Sequence, residues 1–246
     1  DEGMTKHQCM QKWLKVLLTI LGTFTIICVV AIRSLTYSAS ETALDSATVA
    51  ELQEDTLIFH PPNANGKNII FYQGGFVESE AYAPLASALT NEGFTVYLID
   101  TPLNLAVLST NRGLDIIKEN DLTHVIFMGH SLGGVIAARN AATLSEDTEI
   151  AGLILLASYP DESINLADAQ FPVLSITASN DKVLNWEAFA SAKALLPPHT
   201  SFVEILGGNH SGFGDYGFQS GDGEATLTNE DQRAQVISAI QSVWPE

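Results

Sequence analysis

Cysteine is nearly absent from this chain of 246 residues; there are two, Cys9 and Cys28, and none beyond position 33. A disulfide framework is thereby excluded for the bulk of the chain, and no redox compartment is ruled out. Histidine is sparse as well, with six in all. No His/Cys spacing suits a metal ion, so neither a metal nor a cofactor is expected. A Walker loop and a dinucleotide fingerprint are both missing. Positive charge is scarce too: 11 Lys and Arg stand against 29 Asp and Glu, for a formal net charge of −18. Residues 1–40 hold four basic and two acidic side chains, which leaves −20 on the remainder. Such a surface repels nucleic acid and anionic lipid headgroups, and no nucleic-acid partner is expected. No internal repeat or low-complexity tract appears.

Long uncharged runs are rare, and the one present lies near the N-terminus. The seventeen residues from Val16 to Ile32 carry no charge; at ~1.5 Å per residue they reach about 26 Å, enough for a membrane span. Trp13 and Lys15 flank it as interfacial anchors. Lys6, Lys12 and Lys15 precede it and only Arg33 follows closely, so the positive-inside rule puts the N-terminus in the cytoplasm and the rest outside. Residues 1–12 are then a cytoplasmic segment, 13–33 a transmembrane signal-anchor helix, 34–55 a polar, acidic tether or loosely attached helix, and 56–246 the main folded domain. A cleaved signal peptide is the rival, with Ser38 and Ser40 near a cleavage site and a secreted product.

Beyond the tether, short apolar, β-branched runs predict strands at Leu57–Phe59, Asn68–Tyr72, Thr95–Ile99, Val125–Met128, Gly152–Ala157, Val173–Ala178 and Ser201–Leu206. Helical patterns fall between them at Ala81–Asn91, Leu105–Lys118, Leu132–Leu144, Asn185–Leu195 and Glu230–Trp244. This alternation implies an α/β fold: a mostly parallel sheet with helices on both faces.

The most informative segment is Gly129-His130-Ser131-Leu132-Gly133-Gly134. It follows an apolar strand and opens a helix, which is the context of the nucleophile elbow of a serine hydrolase. The chain must turn sharply while holding the serine in a strained conformation. Small residues two positions before and after it avoid backbone collision. The Leu132 N–H and the helix N-terminus then face whatever Ser131 attacks. Two later strands end in Ser179-Asn180-Asp181 and Gly207-Gly208-Asn209-His210. The order Ser131, Asp181, His210 is that of α/β-hydrolase triads, with His210 as base and Asp181 as the acid that orients it. Asp161, after the strand ending at Ala157, is the competing acid. His130 reads as a packing residue, His60, His124 and His199 as structural, and Asp215 and Asp222 as solvated loop residues.

From about Thr56 to Trp244 the chain resembles the α/β-hydrolase superfamily, and within it the compact bacterial group related to dienelactone hydrolases. The match rests on Ile70-Phe71-Tyr72-Gln73-Gly74-Gly75, the elbow, and Gly207-Gly208-Asn209-His210 with Phe213-Gly214 after it. Two features depart from the pattern. Dienelactone hydrolases carry cysteine where this chain has Ser131, and many lipases carry His-Gly where it has Gln73-Gly74-Gly75. The turn after Tyr72 still lets a backbone N–H approach an oxyanion, with the donor at Gly75 or Phe76 beside Leu132. Between Ala157 and Val173 there is no room for a large lid, which favours small or soluble esters. The resemblance implies hydrolysis of a small-molecule carboxylic ester through an acyl-enzyme. A non-catalytic binding protein of the same fold, or the same triad used for lactone hydrolysis or acyl transfer, are the alternatives. Oligomeric state is not legible.

Overall fold

The structure, a computed structural model, describes residues 6–144 and 150–245. The first five residues of the expected cytoplasmic segment lie outside them. The chain divides into two compact units, one ending at Thr36 and one beginning at Tyr37.

The first unit is a single helix, α1 (Lys6–Leu35). Its stretch Met10–Leu35, 26 residues, is long and apolar enough to cross a membrane, and none of its most apolar window is buried in protein. At ~1.5 Å per residue it measures about 39 Å, more than a hydrocarbon core of about 30 Å. The hydroxyls of Thr19, Thr23 and Thr25 each donate to the carbonyl one turn back, at 2.9 Å, so these polar groups are satisfied within the helix.

The second unit is built on eight strands: β1 (Glu51–Gln53), β2 (Thr56–Phe59), β3 (Asn68–Tyr72), β4 (Thr95–Ile99), β5 (Val125–His130), β6 (Ile150–Leu156), β7 (Val173–Ala178) and β8 (Ser201–Ile205). Their order is β1-β2-β4-β3-β5-β6-β7-β8. The first two pairings, β1–β2 and β2–β4, are antiparallel and the rest parallel. Alternation along the central strands supplies two cores. Ile69, Phe71, Ile126, Met128, Ile154 and Leu156 face one side; Ile70, Tyr72, Val125, Phe127, Leu153 and Leu155 face the other. Both faces of a parallel sheet are buried, which is why these runs read as continuously apolar. Helices α3 (Ala83–Asn91) and α7 (Asn229–Val243) cover the first face, and α4 (Arg112–Glu119) and α5 (Leu132–Thr143) the second. The connection from Leu156 to Val173 holds only turns, without a lid helix.

Two expectations need correction. The helix expected over Leu105–Lys118 is broken: two 3₁₀ turns, Pro102–Asn104 and Ala106–Leu108, precede α4. Leu103 and Asn104 both take φ of 55°, a left-handed conformation that no α-helix continues through. Strand β1 was not expected, because Glu51-Leu52-Gln53 is an exposed edge without a buried face. Of residues 34–55, read as a tether or a loosely attached helix, those from Tyr37 onward fall in the second unit. Helix α2 (Glu41–Ala47), capped by the Ser40 hydroxyl on the Ala43 N–H at 3.1 Å, buries Ala43 completely.

Candidate active site

Sheet order reverses between β3 and β5, whose registers run side by side from Asn68↔Val125 to Tyr72↔Gly129. Ligands of open α/β sheets bind outside such a switch point, at the carboxyl ends of the strands. Ser131 sits there, between β5 and α5, with φ 51° and ψ −120°. A non-glycine residue with that backbone is strained, and the surroundings must hold it. They do so through short contacts: the Ser131 N–H donates to the Leu156 carbonyl at 2.9 Å, and the Ser158 hydroxyl donates to the Ser131 carbonyl at 2.6 Å. The neighbouring glycines are obligatory. A Cβ on Gly129 would lie 2.3 Å from the Gly133 carbonyl, and one on Gly133 would lie 2.3 Å from the carbonyl oxygens of Tyr72 and Gln73.

His210 and Asp181 meet across the loops after β8 and β7. His210 Nδ1 lies 2.8 Å from Asp181 Oδ2, with the two side chains 2% and 0% exposed. The other carboxylate oxygen, Oδ1, accepts the N–H groups of Val183 and Leu184, both at 2.8 Å. Each oxygen thus has a fixed partner, and a buried carboxylate so satisfied stays put. Ser131 and His210 line one cleft of about 280 Å³ with Leu132, Val135, Ala157, Val183 and Leu184 among its walls. The competing acid, Asp161, turns elsewhere: its Oδ2 takes Arg139 Nη2 at 2.7 Å. The Ser163 hydroxyl and N–H, aided by Arg139, hold its carboxyl below the usual range.

Two donors were expected at the turn after β3, Gly75 and Phe76. Phe76, at φ 59°, gives its N–H to the Asn104 carbonyl at 2.7 Å, so that donor is already engaged. Gly75 lies against Leu132, whose Cδ2 would be 3.2 Å from an added Cβ. The Leu132 N–H belongs to the first turn of α5, where no intrahelical acceptor exists. Asn104 and Gln73 brace this turn: Gln73 Nε2 donates to Asn104 Oδ1 at 3.0 Å and to the Val77 carbonyl at 2.8 Å, while its Oε1 accepts the Thr101 N–H at 3.0 Å.

His130 is buried as a packing residue, with its ring centroid 4.5 Å from that of His210 and 5.6 Å from that of Phe213. Tyr82, which sequence reasoning passed over, lies 2.7 Å from its Nδ1. Two further residues differ from expectation. Asp222 is buried, not solvated: its carboxylate accepts the Ser211 N–H and hydroxyl, both at 2.9 Å, the Gly223 N–H at 2.8 Å and, more distantly, the His210 N–H at 3.4 Å. Asp215 pairs with Arg233 at 2.9 Å. The signal for Asp222 was its setting in Gly221-Asp222-Gly223, a tight turn close behind His210. Among the described residues no group of three or more His, Cys, Asp or Glu is placed to hold a metal ion.

A strained serine at the switch point of a sheet with this strand order defines the α/β-hydrolase class. The chain belongs to the alpha/beta hydrolase family, whose sequence pattern it matches over residues 68–234. Similar solved structures include an alpha/beta hydrolase from the metagenome of lagoon sediments at Mar Chica, Morocco (TM-score 0.57, 15% identity, covering 78% of this chain and 98% of that one). A monoacylglycerol lipase from Paleococcus ferrophilus aligns with TM-score 0.60 and 15% identity over 78% of this chain and 100% of the other. A membrane phospholipase A, a bacterial virulence factor, aligns with TM-score 0.62 and 12% identity over 97% and 100%. At these identities the likeness is one of fold. No curated protein sequence matches this chain closely enough to count as a relative.

Proposed function

We propose that this protein is a serine hydrolase that cleaves carboxylic esters through an acyl-enzyme. The observation that carries the reading is the buried His210–Asp181 contact of 2.8 Å beside a cleft that Ser131 and His210 share. His210 takes the Ser131 proton as the serine oxygen bonds to the ester carbonyl carbon, and the carbonyl electron pair moves onto oxygen. The N–H groups of Leu132 and Gly75 receive that oxyanion. The pair returns, the C–O bond to the alcohol breaks, and His210 gives its proton to the leaving oxygen. Water then repeats the sequence on the acyl-serine. Asp181 holds the imidazole tautomer and offsets its positive charge. Ester cleavage agrees with the monoacylglycerol lipase and the phospholipase A among the similar folds. Within the family, the resemblance to dienelactone hydrolases rests on Ile70 to Gly75, the elbow and Gly207-Gly208-Asn209-His210 with Phe213-Gly214, with Ser131 where those enzymes carry cysteine.

We read α1 as a membrane anchor, with Lys6, Lys12 and Lys15 on the cytoplasmic side and the hydrolase unit outside. The decisive experiment is labelling with a fluorophosphonate probe. Wild type should be tagged at Ser131, and Ser131→Ala should be neither tagged nor active. A Ser131→Ala protein with near wild-type turnover would mean another nucleophile.

A further inference from the structure

We propose that Tyr82 is a positioning residue for ester hydrolysis: its buried hydroxyl joins the turn that carries Gly75 to the histidine ring packed on His210. This deepens the ester-hydrolase reading and depends on it. Tyr82 ends the 3₁₀ turn Ser79–Tyr82, which leads into α3. No part of it is exposed, and its ring meets that of Phe71, on β3, edge to face at 5.0 Å. Two polar contacts converge on the hydroxyl. It accepts the N–H of Gly74, the residue before Gly75, at 3.0 Å, and it lies 2.7 Å from His130 Nδ1. The fit is close: a Cβ on Gly74 would lie 2.7 Å from the hydroxyl and 2.9 Å from Nδ1.

His130 carries the constraint onward. It is the last residue of β5, directly before Ser131, and its ring centroid is 4.5 Å from that of His210. Its other nitrogen, Nε2, is buried and makes no hydrogen bond. Among the described residues, the Tyr82 hydroxyl is thus the side-chain group that fixes the rotation of the ring. His210 is held at Nδ1 by Asp181 at 2.8 Å and packed against its ring by His130. A His130 ring free to rotate lets His210 tilt about its bond to Asp181, and a misplaced base reacts slowly. The same hydroxyl holds Gly74, so one side chain sets the base and the oxyanion turn relative to each other.

Both partners keep one protonation state. Burial raises the Tyr82 phenol far above its ordinary value, and the Gly74 N–H opposes this only in part. Burial first, and His210 second, lower His130. A neutral imidazole therefore lies against the ring that becomes positively charged in each turnover, and no second cation repels it.

The test uses full-length Tyr82→Phe, which keeps the ring and removes only the hydroxyl. Competent sites are counted by end-point labelling with a fluorophosphonate, and turnover of p-nitrophenyl acetate is expressed per labelled site. The kcat per site should fall about tenfold, because the base and the oxyanion turn are no longer held together. KM should change by less than about twofold, because the hydroxyl does not touch the substrate. Fewer labelled sites with an unchanged kcat per site would make the hydroxyl structural only and overturn the proposal. His130→Gln decides the matter where Tyr82→Phe does not fold: it keeps a hydrogen-bonding group for Tyr82 but takes the ring away from His210. Its kcat per site should fall likewise, and an unchanged value overturns the proposal. Where both fold, the double variant should lose less than the product of the two single losses; losses that multiply overturn the link through His130. A wild type that takes no fluorophosphonate and turns over no ester overturns the underlying reading instead.

Discussion

Tyr82 and His130 share a hydrogen bond of 2.7 Å that neither side chain exposes to solvent. The Tyr82 oxygen also accepts the Gly74 N–H at 3.0 Å, which holds the phenol against the His130 ring. Burial, and then the neighbouring His210, push its pKa well below the usual histidine value, and the His210 backbone opposes this only in part.

A pH dependence of stability follows from this pair. The folded state binds fewer protons at His130 than the unfolded chain, in which a free imidazole titrates near ~6.5. Stability contributed here is present above that value and is lost as pH falls below it toward the depressed folded value. The carboxyl of Asp161, also held low, acts in the same direction but only below its own unfolded pKa of about 3.9. Thermal melts between about pH 7.5 and 5 should show wild type losing stability, and His130→Gln, which cannot titrate, losing less. Parallel slopes for the two proteins would remove His130 from this role.

Asp181→Asn should reduce kcat by about 10⁴, the cost seen when a triad acid becomes an amide and the wrong imidazole tautomer is favoured. Asp161→Asn should cost far less, because it loses an ion pair with Arg139, itself partly exposed, and touches no histidine. The comparison of kcat for the two proteins decides the acid. A larger loss at Asp161 would move it to the loop after β6.

Gly129→Ala and Gly133→Ala should each prevent recovery of folded, active protein. Their added methyl groups would meet backbone atoms at 2.3 Å, and backbone at the elbow has nowhere to go. Gly75→Ala is the contrast. Its nearest neighbour is the end of the Leu132 side chain at 3.2 Å, which can shift by a few tenths of an ångström. That protein should fold, and its rate should change by less than the roughly 10²–10³ expected for loss of an oxyanion donor. Circular dichroism together with turnover separates the three.

What the sequence made legible follows from locality. Strands β3, β5, β6 and β7 are buried on both faces, so each reads as an apolar run, and the elbow is defined by six consecutive residues. The misread places depend on distant partners. Leu105, Val107 and Leu108 look like a helix face, yet Val107 and Leu108 are exposed, because Asn104 is pinned to the turn at Phe76. Asp222 looks like a solvated turn residue because the N–H groups it accepts come from Ser211 and Lys182. Asp181, the acid read from chain order, and Asp161 both follow strands, and it is tertiary packing that brings Asp181 to His210.

The last prediction concerns where the hydrolase unit begins. Tyr37, the first residue of the second unit, ties two loops of the site together. Its N–H donates to the Phe76 carbonyl at 2.7 Å and its carbonyl accepts the Glu78 N–H at 3.0 Å. Its hydroxyl accepts the Ser220 N–H at 3.1 Å, and its ring centroid lies 5.6 Å from that of Tyr216. Ala39 and Ser40 extend the strap, donating N–H groups to Glu78 Oε2 at 2.9 Å and to the Asp215 carbonyl at 2.8 Å. A chain beginning at Tyr37 should be soluble, folded and as active as full-length protein. One beginning at Glu41 loses these hydrogen bonds, each worth roughly 0.5–1.5 kcal/mol, and the buried part of a tyrosine ring. It should melt about 5–10 °C lower. Its turnover should also fall, because the turn that carries Gly75 loses the tie from Tyr37 to the Phe76 carbonyl. Melting temperatures and kcat measured on the two chains provide the check. Equal values for both would make the strap passive, and failure of the chain from Tyr37 to fold would move the boundary into α1.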